Sequence, residues 1–380
     1  MKMNYKTLAT SMLSVALLLT TGGCIREEAP NSEAAIDGCD GKDVQLYRIN
    51  PDKSMSVYIP KWADMAAQQL LFTLPEGASI APVNPAPGDK AAESVYDFSG
   101  DNNPREFVVT AEDGAWKTAY RIRIIQAELP LNYHFDQLYP NEKGTYDILW
   151  EEDRDNGYIL QWESGNAGYE LTSMAKNRSQ YPTVQDAAGY RGSCVKLTTC
   201  TTGSFGTMLN PPMPIAAGNL FIGSFDLGSA LTNALGATHF GFPFYKVPKT
   251  FSGYYKYKAG NQLTDAQGNS VAGKDECDIY AVMYEVTGNA GYLDGGNSLT
   301  SSNIVLLARL SADERKAESD EWKHFEMNFE PKNGKTIDAA KLKAGRYKLA
   351  IVCSSSVNGA YFKGAVGSTL YVDELSLTAE

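Results

Sequence analysis

The stretch LYVDELSL, Leu370 to Leu377, lies at the C-terminal edge of the chain, and its reading decides the fold of everything from about residue 127 onward. Its alternation suits a half-buried strand, with Leu370, Val372, Glu374 and Ser376 on one face and Tyr371, Asp373, Leu375 and Leu377 on the other. That places Asp373 among apolar neighbours, where an unpaired carboxylate is costly and is neutralised, ion-paired or bound to a metal. Two upstream pieces offer to complete the pattern: Phe135-Asp136, and the run Gly189-Tyr190-Arg191-Gly192-Ser193-Cys194-Val195-Lys196-Leu197.

Working outward, strand-like runs recur between long polar loops: CVKLTT, NLFIGSFDL, FSGYYKYKA, DIYAVMYEV, NIVLLARL, WKHFEMNFE and YKLAIVCS. They suffice for a two-sheet jelly roll over residues 127–380. Helical periodicity is scarce, with short turns expected at Asp338 to Leu342 and Asp226 to Leu235. Residues 36–126 hold a further set, VQLYRI, MSVYIP, LLFTLP, EFVVTAED and YRIRII, the last two joined across Asp113-Gly114, a strong hairpin signal. Several strands in that length predict a small β-sandwich, so the whole chain reads as all-β.

The N-terminus reads differently. Residues 1–23 carry Lys2 and Lys6, an apolar run and then Thr20-Thr21-Gly22-Gly23, the architecture of an export signal too short to span a membrane. Small residues before Cys24 resemble the bacterial lipobox, although Thr21 stands where that box usually has Leu; the resemblance implies cleavage there and lipidation of Cys24, hence a membrane anchor. Residues 24–35 are polar and read as a tether. Arg26 followed by Glu27 and Glu28 resembles the surface-export signal of Bacteroidetes lipoproteins, which implies the cell-surface side of the outer membrane. The remaining cysteines, Cys39, Cys194, Cys200, Cys277 and Cys353, are odd in number. Cys194 and Cys200 flank one extended run of about 20 Å, beyond disulfide reach, and most of the set is expected to pack as small buried hydrophobes.

The net charge of −11 over 380 residues disfavours nucleic acid, which is bound by neutralising phosphates, and fits a neutral substrate. Aromatic content of 11%, led by 22 Tyr, suits sugar binding and β-sheets alike.

Beyond 127, an early Phe-acid, a Gly-x-x-Gly turn entering a strand and a closing Tyr-Val-Asp-Glu strand together resemble the jelly-roll carbohydrate-binding modules. In those modules the corresponding acids and turn carbonyls commonly hold a structural calcium, which implies one Ca2+ at Asp136 and Asp373 with backbone oxygens of Gly189 to Ser193, an all-oxygen set. WESGNAGYEL, YPTVQDAAGYRGSCVKLTT, PIAAGNLFIGSFDL, FGFPF, TFSGYYKYKAG and DECDIYAVMYEV resemble the PCMD family, the putative carbohydrate metabolism domain of Bacteroidetes lipoproteins. LPEGASIAPVNP, DFS, FVVTAEDG and AYRIRI resemble the Ig-like spacer domains of such lipoproteins, which implies that residues 36–126 hold the next domain away from the lipid.

For sugar, the candidates are Trp162 with Asn166 and Tyr169, then Asp278 with Tyr280, and Tyr361 in the loop from Gly359 to Gly367, because recognition needs an aromatic platform beside fixed amides or carboxylates. The acids Glu151, Glu152, Asp153 and Asp155 read as a solvated loop, and no catalytic residue stands out. The leading expectation is a lipid-anchored surface protein that binds polysaccharide or oligosaccharide without cleaving it. The alternatives are a glycoside hydrolase using two carboxylates of the second domain, and a structural or adhesive surface protein with a protein partner. An acid pair across a groove near Trp162 or Asp278 favours the hydrolase; aromatics with one acid favour binding.

Overall fold

The computed structural model describes residues 30–50, 52–153, 157–287 and 291–380; the export signal, Cys24 and the first part of the tether lie outside the described residues. The main sheet of the first unit is built from β1 (Leu46–Ile49), β2 (Ser54–Ile59), β3 (Ser79–Pro82), β4 (Arg105–Thr110) and β5 (Lys117–Gln126), beside two short two-stranded pairs, Gly38–Asp40 with Leu71–Thr73 and Gln68–Gln69 with Val95–Tyr96. The main sheet runs in the order β1-β2-β5-β4-β3, antiparallel except for the β2–β5 pair. Alternation does the sorting: Phe107 and Val109 of β4 and Tyr120, Ile122 and Ile124 of β5 enter one apolar cluster. The Asp113-Gly114 turn joins β4 to β5 as expected, with Gly114 at φ +68°. Arg105 is buried at the cluster's edge and grips Asp89 through two hydrogen bonds of 2.7 and 2.6 Å, which hold the Asp89 carboxyl down at about 2.

The second unit opens with β6 (Asn132–Tyr133), β7 (Gln137–Pro140), β8 (Asp147–Asp153) and β9 (Gly157–Gln161). It continues with β10 (Thr183–Asp186), β11 (Cys194–Thr198), β12 (Asn219–Phe221), β13 (Phe242–Pro243), β14 (Pro248–Lys258) and β15 (Asp278–Glu285). The last strands are β16 (Ile304–Arg309), β17 (Lys323–Asn328), β18 (Glu330–Pro331), β19 (Tyr347–Ser354) and β20 (Thr369–Ala379). Two six-stranded antiparallel sheets result: β10-β11-β20-β14-β17 with β6 also on β20, and β12-β19-β15-β16-β18 with β13 also on β19. Both feed one core. Val195, Phe251, Tyr255, Leu370 and Val372 of the first sheet share a cluster with Ile279, Ala281, Met283, Leu349 and Ile351 of the second. A short helix at Ala339–Lys343, capped by the Asp338 carboxylate on Lys341 N–H, matches the expected turn; Asp226 to Leu235 forms turns without a helix.

The closing strand departs from its expected alternation at the middle. Leu370 and Val372 face the core, and so do Leu375 and Leu377, which a strict period of two sets on the opposite face. The reason is a bulge: Ser252 pairs with Ser376 and Tyr254 with Asp373, so one intervening residue on β14 faces two on β20, and Glu374 takes φ +49°. Asp373 still ends with no exposed surface, held at the bulge itself.

Described cysteines are all free, and Cys39, Cys194, Cys277 and Cys353 are buried while Cys200 is half-buried. Burial pushes the Cys39 and Cys194 thiols up to about 12, so they pack as apolar groups.

The first unit does not stand off from the second; it is docked on it. Tyr58 belongs to the second unit's core cluster, Leu46 and Ile125 pack against it, and Tyr58 meets Phe242 edge to face at 5.7 Å. Arg48 is 8% exposed and donates to the carbonyls of Gln161 (3.0 Å) and Gly223 (2.7 Å), with Nε 3.3 Å from the Glu163 carboxylate. Removing one partner of a buried ion pair strands the other charge. Arg48→Ala is therefore expected to destabilise the protein by about 3 kcal/mol, measured by urea denaturation; a loss below about 0.5 kcal/mol would show the contact to be incidental.

Candidate functional site

Strand β15 is buried on both faces. Ile279, Ala281 and Met283 point into the shared core, while Tyr280, Val282 and Tyr284 join a second cluster with Phe221, Phe240, Leu293 and Val352 on the sheet's outer side. The segments that cover this outer side leave a cavity of about 540 Å³, floored by Asp278, Tyr280, Val352 and Ser354 and walled by Tyr169, Phe221 and Phe225. Phe205 and Tyr361 stand at its rim, 37% and 53% exposed.

Its polar groups are few and fixed. Asp278, at the start of β15, is pushed above the usual carboxylate range by burial, and the Arg309 guanidinium opposes that shift through a bidentate contact. The bonds are Nε to Oδ1 at 3.0 Å and Nη2 to Oδ2 at 2.7 Å. The Tyr280 hydroxyl meets Ser298 Oγ at 2.9 Å, and the Tyr169 hydroxyl donates to the Thr201 carbonyl at 3.1 Å. Among the described residues lining this cavity, Asp278 is the only carboxylate.

Four residues singled out in three separate stretches of sequence, Tyr169, Asp278, Tyr280 and Tyr361, thus meet around one cavity. Trp162 and Asn166 do not join them. Trp162 is 2% exposed, packed on Tyr133 and Phe135, and its indole N–H donates to Glu151 at 3.0 Å, so it offers no platform. Asn166 clamps the backbone of Thr183 through both amide atoms. Glu151 itself corrects the reading of a solvated acid loop: it is buried and accepts from the Trp162 side chain and from the His134 and Phe135 N–H groups. A deeply placed acid beside a Trp leaves no pattern in sequence when its partners are backbone groups.

Sequence reasoning also missed a cleft of about 1190 Å³ between the two units, lined by Tyr47, Arg48, Tyr139, Glu163, Asp226, His239, Tyr292 and Lys348 among others. Burial raises the Glu163 carboxyl and lowers the Lys348 ammonium to about 8. Hydrogen bonds from the Ser229 hydroxyl and the Gly228 N–H hold the Asp226 carboxyl low. His239 stacks on Tyr292 at 3.8 Å. These residues come from segments far apart in the chain, and no spacing announces them.

Asp136 and Asp373 do converge, one on each side of the Gly189 to Ser193 turn. Asp136 Oδ1 accepts from Ser193 N–H (2.9 Å), Asp373 Oδ2 from Arg191 N–H (2.9 Å) and Oδ1 from Glu374 N–H (2.8 Å). A Cβ at Gly192 would sit 2.5 Å from Asp136 Oδ1, and one at Gly189 2.8 Å from Asp373 Oδ2, so both positions require glycine. The groups bonded to these carboxylates are backbone N–H donors, and Gly189 N–H donates to the Gly192 carbonyl at 3.1 Å, so the two acids clamp the turn.

Burial raises the Asp373 carboxyl to about 6 despite those N–H donors. A carboxyl with a raised folded-state pKa contributes stability that is full below its unfolded value near 4 and lost as pH rises through about 6. Stability is thus expected to increase between pH 7 and pH 5, and Asp373→Asn to flatten that part of the profile in denaturation curves taken across the range.

Residues 134–378 match the family described as Putative carbohydrate metabolism domain, PCMD. The crystal structure of a putative glycoside hydrolase from Bacteroides thetaiotaomicron is similar at 42% identity and a TM-score of 0.77, over 93% of this chain and 99% of that one. That of a putative glycoside hydrolase from Bacteroides vulgatus is similar at 41% identity and a TM-score of 0.62, over 67% of this chain and 100% of that one. No curated protein matches. Matched across well over half its length, the chain belongs to the PCMD family of carbohydrate-related domains.

Proposed function

We propose that the protein captures glycan without cleaving it, binding the end of a chain in the cavity over β15 and β19. The observation that carries this reading is the pairing of aromatic walls with a single carboxylate already locked to Arg309. Sugar C–H faces suit Tyr169, Phe205 and Tyr361, and the fixed polar atoms of Ser298 and Asp278 suit hydroxyls. Hydrolysis needs two carboxylates flanking one bond, which this cavity lacks among its described residues. On this reading the two stacked sheets of the second unit are a jelly roll, the first unit is an Ig-like sandwich, and lipidation at Cys24 holds both at the cell surface of the outer membrane.

A second reading is favoured by the cleft between the units, where burial raises Glu163 while hydrogen bonds lower Asp226. Carboxylates with separated pKa values are what acid and nucleophile roles require, so this cleft is where a glycoside hydrolase of the PCMD family would work.

One experiment separates the two. Purified protein is run through gels containing neutral plant or host polysaccharides while reducing ends are assayed in parallel. Retardation without release, weakened about tenfold by Tyr361→Ala or Phe205→Ala, is the expected result. Release of reducing ends that is lost in Glu163→Gln or Asp226→Asn would sink the non-catalytic reading in favour of the cleft. As for the anchor, labelled fatty acid is expected to enter the wild-type chain and not Cys24→Ser; equal labelling would refute it.

A further inference from the structure

The sheet that does not carry the cavity presents its own outer face, and that face bears a single unbroken row. Lys196 of β11 pairs with Tyr371 of β20, which pairs on its other side with Lys256 of β14. Lys196 Nζ lies 5.7 Å and Lys256 Nζ 4.6 Å from the centre of the Tyr371 ring, and Lys256 is also 4.9 Å from the ring of Trp322. Beside this row Tyr190, 45% exposed, lies flat on Tyr254 at 3.6 Å and meets Trp322 at 6.4 Å.

None of this is core. The inward partners of these residues, Val195, Leu197, Tyr255, Tyr257, Leu370 and Val372, fill the shared cluster. Neither Lys196 nor Lys256 forms an ion pair with a carboxylate among the described residues; of the acids on β20, Asp373 accepts from the Arg191 and Glu374 N–H groups, and Glu374 is engaged by His134 and Arg191. Two uncompensated cations on rings stand out in a chain of net charge −11.

We infer that this row is a second glycan site, independent of the cavity and selective for a polysaccharide carrying uronic acid carboxylates. Lys196 and Lys256 stand two strands apart, about 10 Å, close to the length of a disaccharide, so carboxylates on nearby sugars meet both ammonium groups. Trp322 and the exposed Tyr190 beside the row take the apolar ring faces.

The test is retardation of the purified protein in gels containing polygalacturonate, beside a neutral glucan and dextran sulfate, at low and high salt. Expected is polygalacturonate retardation that weakens with salt, falls about tenfold in Lys256→Gln and in Trp322→Ala, and survives in Lys256→Arg and Tyr361→Ala. Both altered side chains lie outside the core, and circular dichroism confirms that the variants fold. No polygalacturonate retardation at low salt, or retardation unchanged in the double variant Lys196→Gln/Lys256→Gln, overturns the site. Equal retardation by dextran sulfate overturns the uronate assignment. Loss in Tyr361→Ala as well would place the acidic glycan in the cavity and overturn independence.

Discussion

One extra residue in the closing strand sets what the rest of the second unit can do. Without the bulge at Asp373 and Glu374, the period of two would carry either Leu370 and Val372 or Leu375 and Leu377 to the wrong face. Each of these side chains contributes about 1.5–3 kcal/mol when fully buried, so the irregularity is strongly selected by the core. Just ahead of the bulge Asp373 alternates outward with Tyr371, where it accepts from the Arg191 N–H of the Gly189 to Ser193 turn.

The two sheets share one interior but differ in how their outer faces are dressed. Apolar residues continue through the second sheet to Tyr280, Val282 and Tyr284, and the loops that cover them enclose a dry-walled cavity. An acid placed there has to bring its own partner, which is why Asp278 and Arg309 occur together. On the first sheet the outer residues are half-buried rings and lysines, with Tyr190 of the Gly189 to Ser193 turn laid on Tyr254.

Much of this was legible in the sequence because alternation is local. The strands of β11, β14, β15, β19 and β20 announce themselves by β-branched and aromatic runs between turn residues, and Asp113-Gly114 marks its hairpin. Tyr169, Asp278, Tyr280 and Tyr361 were each visible as aromatic or acidic residues in polar contexts, although their convergence depends on loop paths that no spacing encodes. Trp162 looked like a platform because its loop is polar; Glu151 and two ring neighbours pull it inside. The bulge escaped because an acid pair in mid-strand satisfies either register on paper. The cleft escaped because Arg48, Glu163, Asp226 and Lys348 become neighbours only when the two units dock.

The position of β20 bears on how the molecule comes into being. It is made after both of its central neighbours, β11 and β14, which lie nearly 180 and 120 residues upstream. Until its eleven residues arrive, both neighbours present open backbone edges, the form most prone to pairing with another chain. Assembly of this sheet therefore waits on β20: a polypeptide cut short before residue 369 is two half-sheets without a seam.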